Sequence, residues 1–216
     1  MRKLILSMVA IAALVATMPL TAKKKKAAAP AFTYYLLSLS WAPDFCAQPG
    51  KGGDPAECGT GNKVGFVVHG LWPQGDSGRG PENCGSAPPV ADSIVQLMLP
   101  YIPTASLIQH EWKTHGTCSG LSAEDYFATV RKARDSVTIP GEFKAPAQMQ
   151  TLSPAAIEGA FATANPSFPK EAFRTSCTSG ALQEARVCFG KDLSPRACTS
   201  SAGECGAATM KVRPVR

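Results

Sequence analysis

Histidine is scarce in this chain: only three occur in 216 residues, at His69, His110 and His115. The sequence also lacks any Cys-x-x-Cys pair, and its eight cysteines are spaced too widely for a zinc knuckle. An N-glycosylation acceptor is missing too, because Pro166 spoils the triplet Asn165-Pro166-Ser167. That favours a bacterial periplasm or medium over a eukaryotic secretory route. Neither an internal repeat nor a regular strand–helix alternation is visible, which argues against a solenoid and a parallel βαβ sheet.

An apparent excess of positive charge is the next thing to go. Arg2, Lys3 and Lys23 to Lys26 supply six of the 22 basic residues, leaving 16 against 16 acidic ones in residues 31–216. The formal charge of +6 therefore belongs to the leader. The neutral body gives no support to a broad electrostatic grip on nucleic acid, and any such substrate is expected to be held at a local site. The leader itself reads as a secretory signal over residues 1–22, with a charged start and the apolar run Leu4 to Ala16. This run is too short for a stable membrane anchor. Residues 23–30 read as a disordered Lys/Ala-rich stretch, leaving 31–216 as one domain. Eight cysteines behind a signal peptide predict four disulfides and a periplasmic or extracellular location.

The elements present predict an α+β fold, a mostly antiparallel sheet flanked by helices. FTYYLLSLSW at 32–41 reads as a buried strand, followed by a Gly/Pro loop over 47–62 pinned by Cys46 and Cys58. Val64 to His69 forms a second strand that leaves through Gly70-Leu71-Trp72-Pro73. Helices are predicted over Val90 to Tyr101, over Ser106 to Thr117, from the Ser122 cap to Val137, and from the Ser153-Pro154 start to Asn165. Residues 171–178 and 181–189 close the chain as a strand pair around Ser179-Gly180.

Two of the three histidines lie within one short segment, His110-Glu111-Trp112-Lys113-Thr114-His115. A metalloprotease helix needs its histidines four residues apart, and here they are five apart, roughly 140° around a helix. The spacing instead puts Glu111 and His115 on one face, a pairing suited to acid–base work. No metal and no cofactor are expected.

FVVHGLWP at 66–73 and HEWKTHGTC at 110–118 resemble the two active-site segments of the ribonuclease T2 family, and the early LSLSWAPDFC and late ALQEARVC stretches fit the same pattern. The resemblance implies a secreted endoribonuclease acting on single-stranded RNA with little base preference. Attack by the 2′-hydroxyl gives a 2′,3′-cyclic phosphate, which is then hydrolysed to a 3′-phosphate. His115 matches the general base, His69 the general acid and His110 a phosphate-holding histidine, while Glu111 belongs to the phosphate shell and orients His115. DNA lacks the nucleophile and is excluded. A monomer without membrane attachment is expected. Trp72 matches a base-stacking position, with a structural anchor as its other reading, and Trp112 reads as structural. The disulfides implied are Cys84–Cys118, Cys177–Cys205 and Cys188–Cys198, leaving Cys46–Cys58; the sequence alone allows on the order of a hundred connectivities.

The chain departs from the family pattern at Thr114, where a lysine normally precedes the second catalytic histidine. Lys113 is one residue, roughly 100°, away on a helix. Either Lys113 or Thr114 then takes over phosphate binding, or Lys113 is a solvated surface cation. This departure keeps open a second class, a secreted RNA-binding or inhibitor-like protein on the same scaffold with weak or no catalysis. A disulfide-rich interaction module is a third.

Overall fold

β1 (Tyr34–Trp41) lies at the centre because apolar side chains occupy both of its faces. Tyr35, Leu37, Leu39 and Trp41 point into the main core, whereas Tyr34 and Leu36 join a smaller cluster with Cys188 and Ala202 on the other side. The computed structural model describes residues 32–48, 50 and 55–216. The expected signal peptide and Lys/Ala-rich leader lie outside the described residues.

The fold is α+β, with a mixed sheet in the order β2-β1-β5-β6-β3 and β4 paired to β5. β2 (Phe66–Gln74) and β5 (Ala181–Gly190) flank β1 antiparallel, and β4 (Phe173–Thr178) runs antiparallel to β5. Two short strands, β3 (Gln150–Leu152) and β6 (Met210–Val212), complete it; β6 meets β5 parallel at Ala181 and Lys211.

Helices cover the main-core face. α3 (Asp92–Met98), α4 (Ala105–Thr114), α5 (Ala123–Asp135) and α6 (Pro154–Ala164) bury Val95, Met98, Ile108, Trp112, Phe127 and Phe161 there. Three of them start at hydroxyl caps: Thr104, Ser122 and Ser153 accept from the N–H groups of Leu107, Asp125 and Ala156. Each such cap contributes about 1 kcal/mol. The short turns α1 (Ala42–Phe45) and α2 (Pro55–Cys58) precede β2. Four disulfides, Cys46–Cys58, Cys84–Cys118, Cys177–Cys205 and Cys188–Cys198, staple the frame.

Three local expectations are corrected. β2 does not leave the sheet at Gly70 but continues to Gln74, opposite Tyr34, because edge pairing with β1 accommodates Pro73. The expected helix to Thr117 stops at Thr114, and Gly116–Cys118 tighten into a 3-10 turn that brings Cys118 to Cys84. β3 and β6 were not predicted, since three residues carry too little periodicity to show. Among the described residues, no helix is long and apolar enough to cross a membrane.

Candidate active site

His69 occupies a break in the sheet. Leu39 pairs with Val68 and the preceding Ser38 pairs with Gly70, so residue 69 has no opposite number in β1. A bulge of this kind re-aims a side chain. It also explains why Val68 and Leu71, three positions apart, both face the main core. The His69 ring, partly exposed, stands between two buried carboxylates. Its Nδ1 lies 2.8 Å from Oε1 of Glu184 on β5, and its Nε2 lies 3.8 Å from Oε1 of Glu111 on α4.

Glu111 reaches this position because residue 70 is glycine. A Cβ there would sit 1.9 Å from Oε2 of Glu111 and 2.5 Å from Nε1 of Trp72. Trp72 donates its indole N–H to Oε2 of Glu111 at 2.9 Å, while Oε1 has no hydrogen-bond partner among the described residues. Burial therefore dominates and pushes the Glu111 carboxyl up to about 7, against the pull of His69 and Trp72.

The expected pairing of Glu111 with His115 is not found. The carboxylate faces His69 and Trp72, and His115 meets residue 111 through its backbone N–H, which donates to the Glu111 carbonyl. His115 lies at the end of α4 with φ −115° and ψ −43°, where the chain already departs from ideal helix and helical spacing no longer predicts facing side chains. Its ring packs on Trp72 at 5.3 Å between centroids, and the His69 ring meets the same indole at 5.2 Å. Burial, aided by the charges of His110 and His69, holds the His115 pKa down at about 4. For His69, burial also opposes the charged form. The Glu184 hydrogen bond and the negative charges of Glu111 and Glu184 outweigh it, and its pKa rises above the ordinary histidine value.

His110, exposed on α4, borders with His69, Ser40, Leu107 and Gln183 a pocket of about 360 Å³. Lys113 is exposed in the last turn of α4 and Thr114 is half-buried. Trp112 is buried in the core against Tyr126. Trp72, half-buried, braces both histidines and lies under the Arg186 guanidinium at 5.8 Å. No three His, Cys, Asp or Glu side chains among the described residues are arranged to share a metal ion.

Glu184 and Arg186 were missed as site residues. The signal was present in ALQEARVC, where a glutamate and an arginine two apart in an apolar strand share one face.

This site lies within a segment, residues 32–198, that matches the Ribonuclease T2 family. The chain belongs to that family. It is 32% identical over 179 residues to a protein named probable ribonuclease from Haemophilus influenzae, the match covering 77% of this chain. A ribonuclease from Aeromonas hydrophila is 34% identical over 139 residues, 64% of this chain. The matches span 61% and 62% of those two relatives' lengths. Ribonuclease MC1 from the seeds of bitter gourd superposes with a TM-score of 0.65 at 25% identity, covering 83% of this chain and 99% of its own. A variant of that protein has been solved in complex with 5′-UMP.

Proposed function

We propose that this T2-family chain is a metal-independent endoribonuclease that cleaves single-stranded RNA by transphosphorylation, through a 2′,3′-cyclic phosphate to 3′-phosphate ends, with low base specificity. One observation carries the reading: β2 and the end of α4 bring His69 and His115 against one indole, with opposite protonation preferences. The uridine nucleotide held by an RNase MC1 variant supports the substrate class.

His115, neutral above about pH 4, is poised to take the 2′-hydroxyl proton. His69, biased toward its charged form, protonates the departing 5′ oxygen. Glu111, with its carboxyl near 7, is protonated over much of the same range and donates to a phosphate oxygen, joined by His110 at the pocket wall. Lys113 or Thr114 supplies the remaining phosphate contact. The exposed part of the Trp72 ring stacks on a base, beside its bracing of the histidines. The nucleophile comes from the substrate, so DNA is not cut.

Export by residues 1–22 to the periplasm or medium, and action there as a monomer, belong to the same proposal. Four disulfides support an oxidising compartment. The test is RNA cleavage in excess EDTA by the intact protein and by His115→Ala. Cyclic-phosphate product from the intact protein, reduced at least about a hundredfold in the variant, is expected. Intact protein that binds RNA without cutting it would favour the inhibitor-like alternative.

A further inference from the structure

Glu184 is buried on β5, 2% exposed, opposite Ser40 of β1 and Ser176 of β4, on a strand that otherwise buries Leu182, Ala185, Val187 and Phe189. A carboxylate there needs donors, and its two oxygens divide them unequally. Oε2 accepts from Nε and Nη2 of Arg186, at 2.9 and 2.7 Å, and is within 3.2 Å of the Ser176 hydroxyl. Oε1 lies 2.8 Å from Nδ1 of His69. Arg186 is itself anchored by donating from Nη1 to the Ala202 carbonyl at 2.6 Å. That approach requires a glycine at 203, where φ is +72° and a Cβ would lie 2.7 Å from Nη1. One oxygen is thus saturated by a fixed cation and the other is turned toward a single histidine nitrogen.

We propose that Glu184, clamped by Arg186, is the positioning residue of His69: it fixes the imidazole with its proton on Nδ1 and its Nε2 toward the leaving group. This role rests on the ribonuclease reading above. As the P–O5′ bond breaks, its electron pair stays on the 5′ oxygen, which takes the Nε2 proton of the imidazolium. The neutral ring left behind keeps its other proton on Nδ1, against Glu184. Its bare Nε2 is then oriented to take a proton from water when the cyclic ester is hydrolysed. A ring free to choose tautomers would spend part of its time with Nε2 occupied, unable to start that second step.

The charged groups around His69 fit this assignment. Glu111 faces Nε2 from α4, and Glu184 and Arg186 face the ring from β5. His115 packs on the same Trp72 indole as His69, and His110 and Glu57 border the adjoining pocket. Of these, Glu184 is within hydrogen-bond distance of Nδ1, and its carboxyl is held down to about 2 despite burial, by His69 and Arg186. It therefore remains a full acceptor across the working range.

The scarcity of histidine makes the test clean, because ¹⁵N-histidine labelling of the intact protein gives signals from three rings only. Neutral His69 is expected as the Nδ1–H tautomer; an Nε2–H tautomer overturns the proposal without any activity assay. Glu184→Gln removes the charge and, with one acceptor oxygen, cannot accept from both Arg186 and the Nδ1–H of His69. It should lower the His69 pKa, moving the alkaline limb of the pH–rate profile to lower pH. It should cut kcat on a dinucleotide roughly ten- to a hundredfold. On uridine 3′-(p-nitrophenyl phosphate), whose leaving group needs no acid, the loss should be only a few-fold. Equal losses on both substrates would mean a structural role and overturn the proposal. Glu184→Asp, which keeps the charge, should restore part of the His69 shift. Intact protein that fails to cleave RNA removes the ribonuclease reading and this role together, whereas an active protein with the wrong tautomer removes only this one.

Discussion

Glu111 and Glu184 lie against the two nitrogens of the same imidazole, 1% and 2% exposed, yet their carboxyls are held at opposite ends of the range. On the sheet side, Glu184 is surrounded by donors and its carboxyl is held down to about 2. On the helix side, Glu111 has one indole N–H and an oxygen without a partner among the described residues, and its carboxyl is pushed up to about 7. Depth is the same; the supply of donors differs. A buried acid is therefore a permanent anion or a proton carrier according to its neighbours. This protein builds one of each around one histidine.

The comparison breaks most violently at Gly70. Gly70→Ala places a methyl inside the Glu111–Trp72 contact and should cost about 1–3 kcal/mol of stability, read by denaturant unfolding. Displacing the carboxylate and the indole should also lower RNA cleavage by about a hundredfold or more. A fully active Gly70→Ala would show that the contact does not matter to turnover.

Glu111→Gln probes the helix side more gently. With its folded pKa near 7, above the ordinary 4.5, Glu111 contributes stability that is fully present below about 4.5 and lost as pH rises through 7. The glutamine variant should escape that loss, so its stability at pH 8 should equal or exceed that of the intact protein while cleavage falls roughly tenfold or more. Glu184 behaves in the opposite sense. Its folded pKa near 2 lies below 4.5, so its contribution is present above 4.5 and lost as pH falls through 2. Stability curves of intact protein and Glu184→Gln should converge in that acid window, and a constant gap across it would contradict the ionised pair.

In the intact protein, kcat/KM should rise as His115 loses its proton near pH 4 and fall above the ordinary histidine range as His69 does. The optimum is then mildly acidic, and a profile still climbing at pH 8 would reverse the assignment of acid and base. Lys113→Ala marks the smallest effect. An exposed lysine at the rim should raise KM for polymeric RNA only about two- to fivefold, more at low salt than at high. No change at all would leave Thr114 as the sole replacement for the family's lysine.

Much of this was legible in the residues. Ser122 and Ser153 announced their helices because a hydroxyl ahead of an amphipathic run has one favourable task. β1 was visible through its aromatic and branched density, and the histidine segments through their rarity. What stayed hidden depended on register. The bulge at His69 exists only in how β2 pairs with β1, and no pattern within 66–74 announces which residue is the extra one. Helical spacing pairs Glu111 with His115, but the helix ends at Thr114 and the two side chains part there. Glu184 escaped notice because its importance lies in a ring 115 positions away along the chain. The short strands β3 and β6 are held by pairing rather than by their own pattern.

The unpaired position of His69 has a consequence for how such a protein changes over time. Removing that one residue would leave Val68 and Gly70 adjacent, matching Leu39 and Ser38 in unbroken register. The hydrogen-bonded ladder therefore does not depend on residue 69, which is an extra position in the sheet rather than a member of a cross-strand pair. A change of side chain at 69 leaves the pairing of β1 with β2 intact, so the strand order tolerates residues there that the proposed chemistry does not.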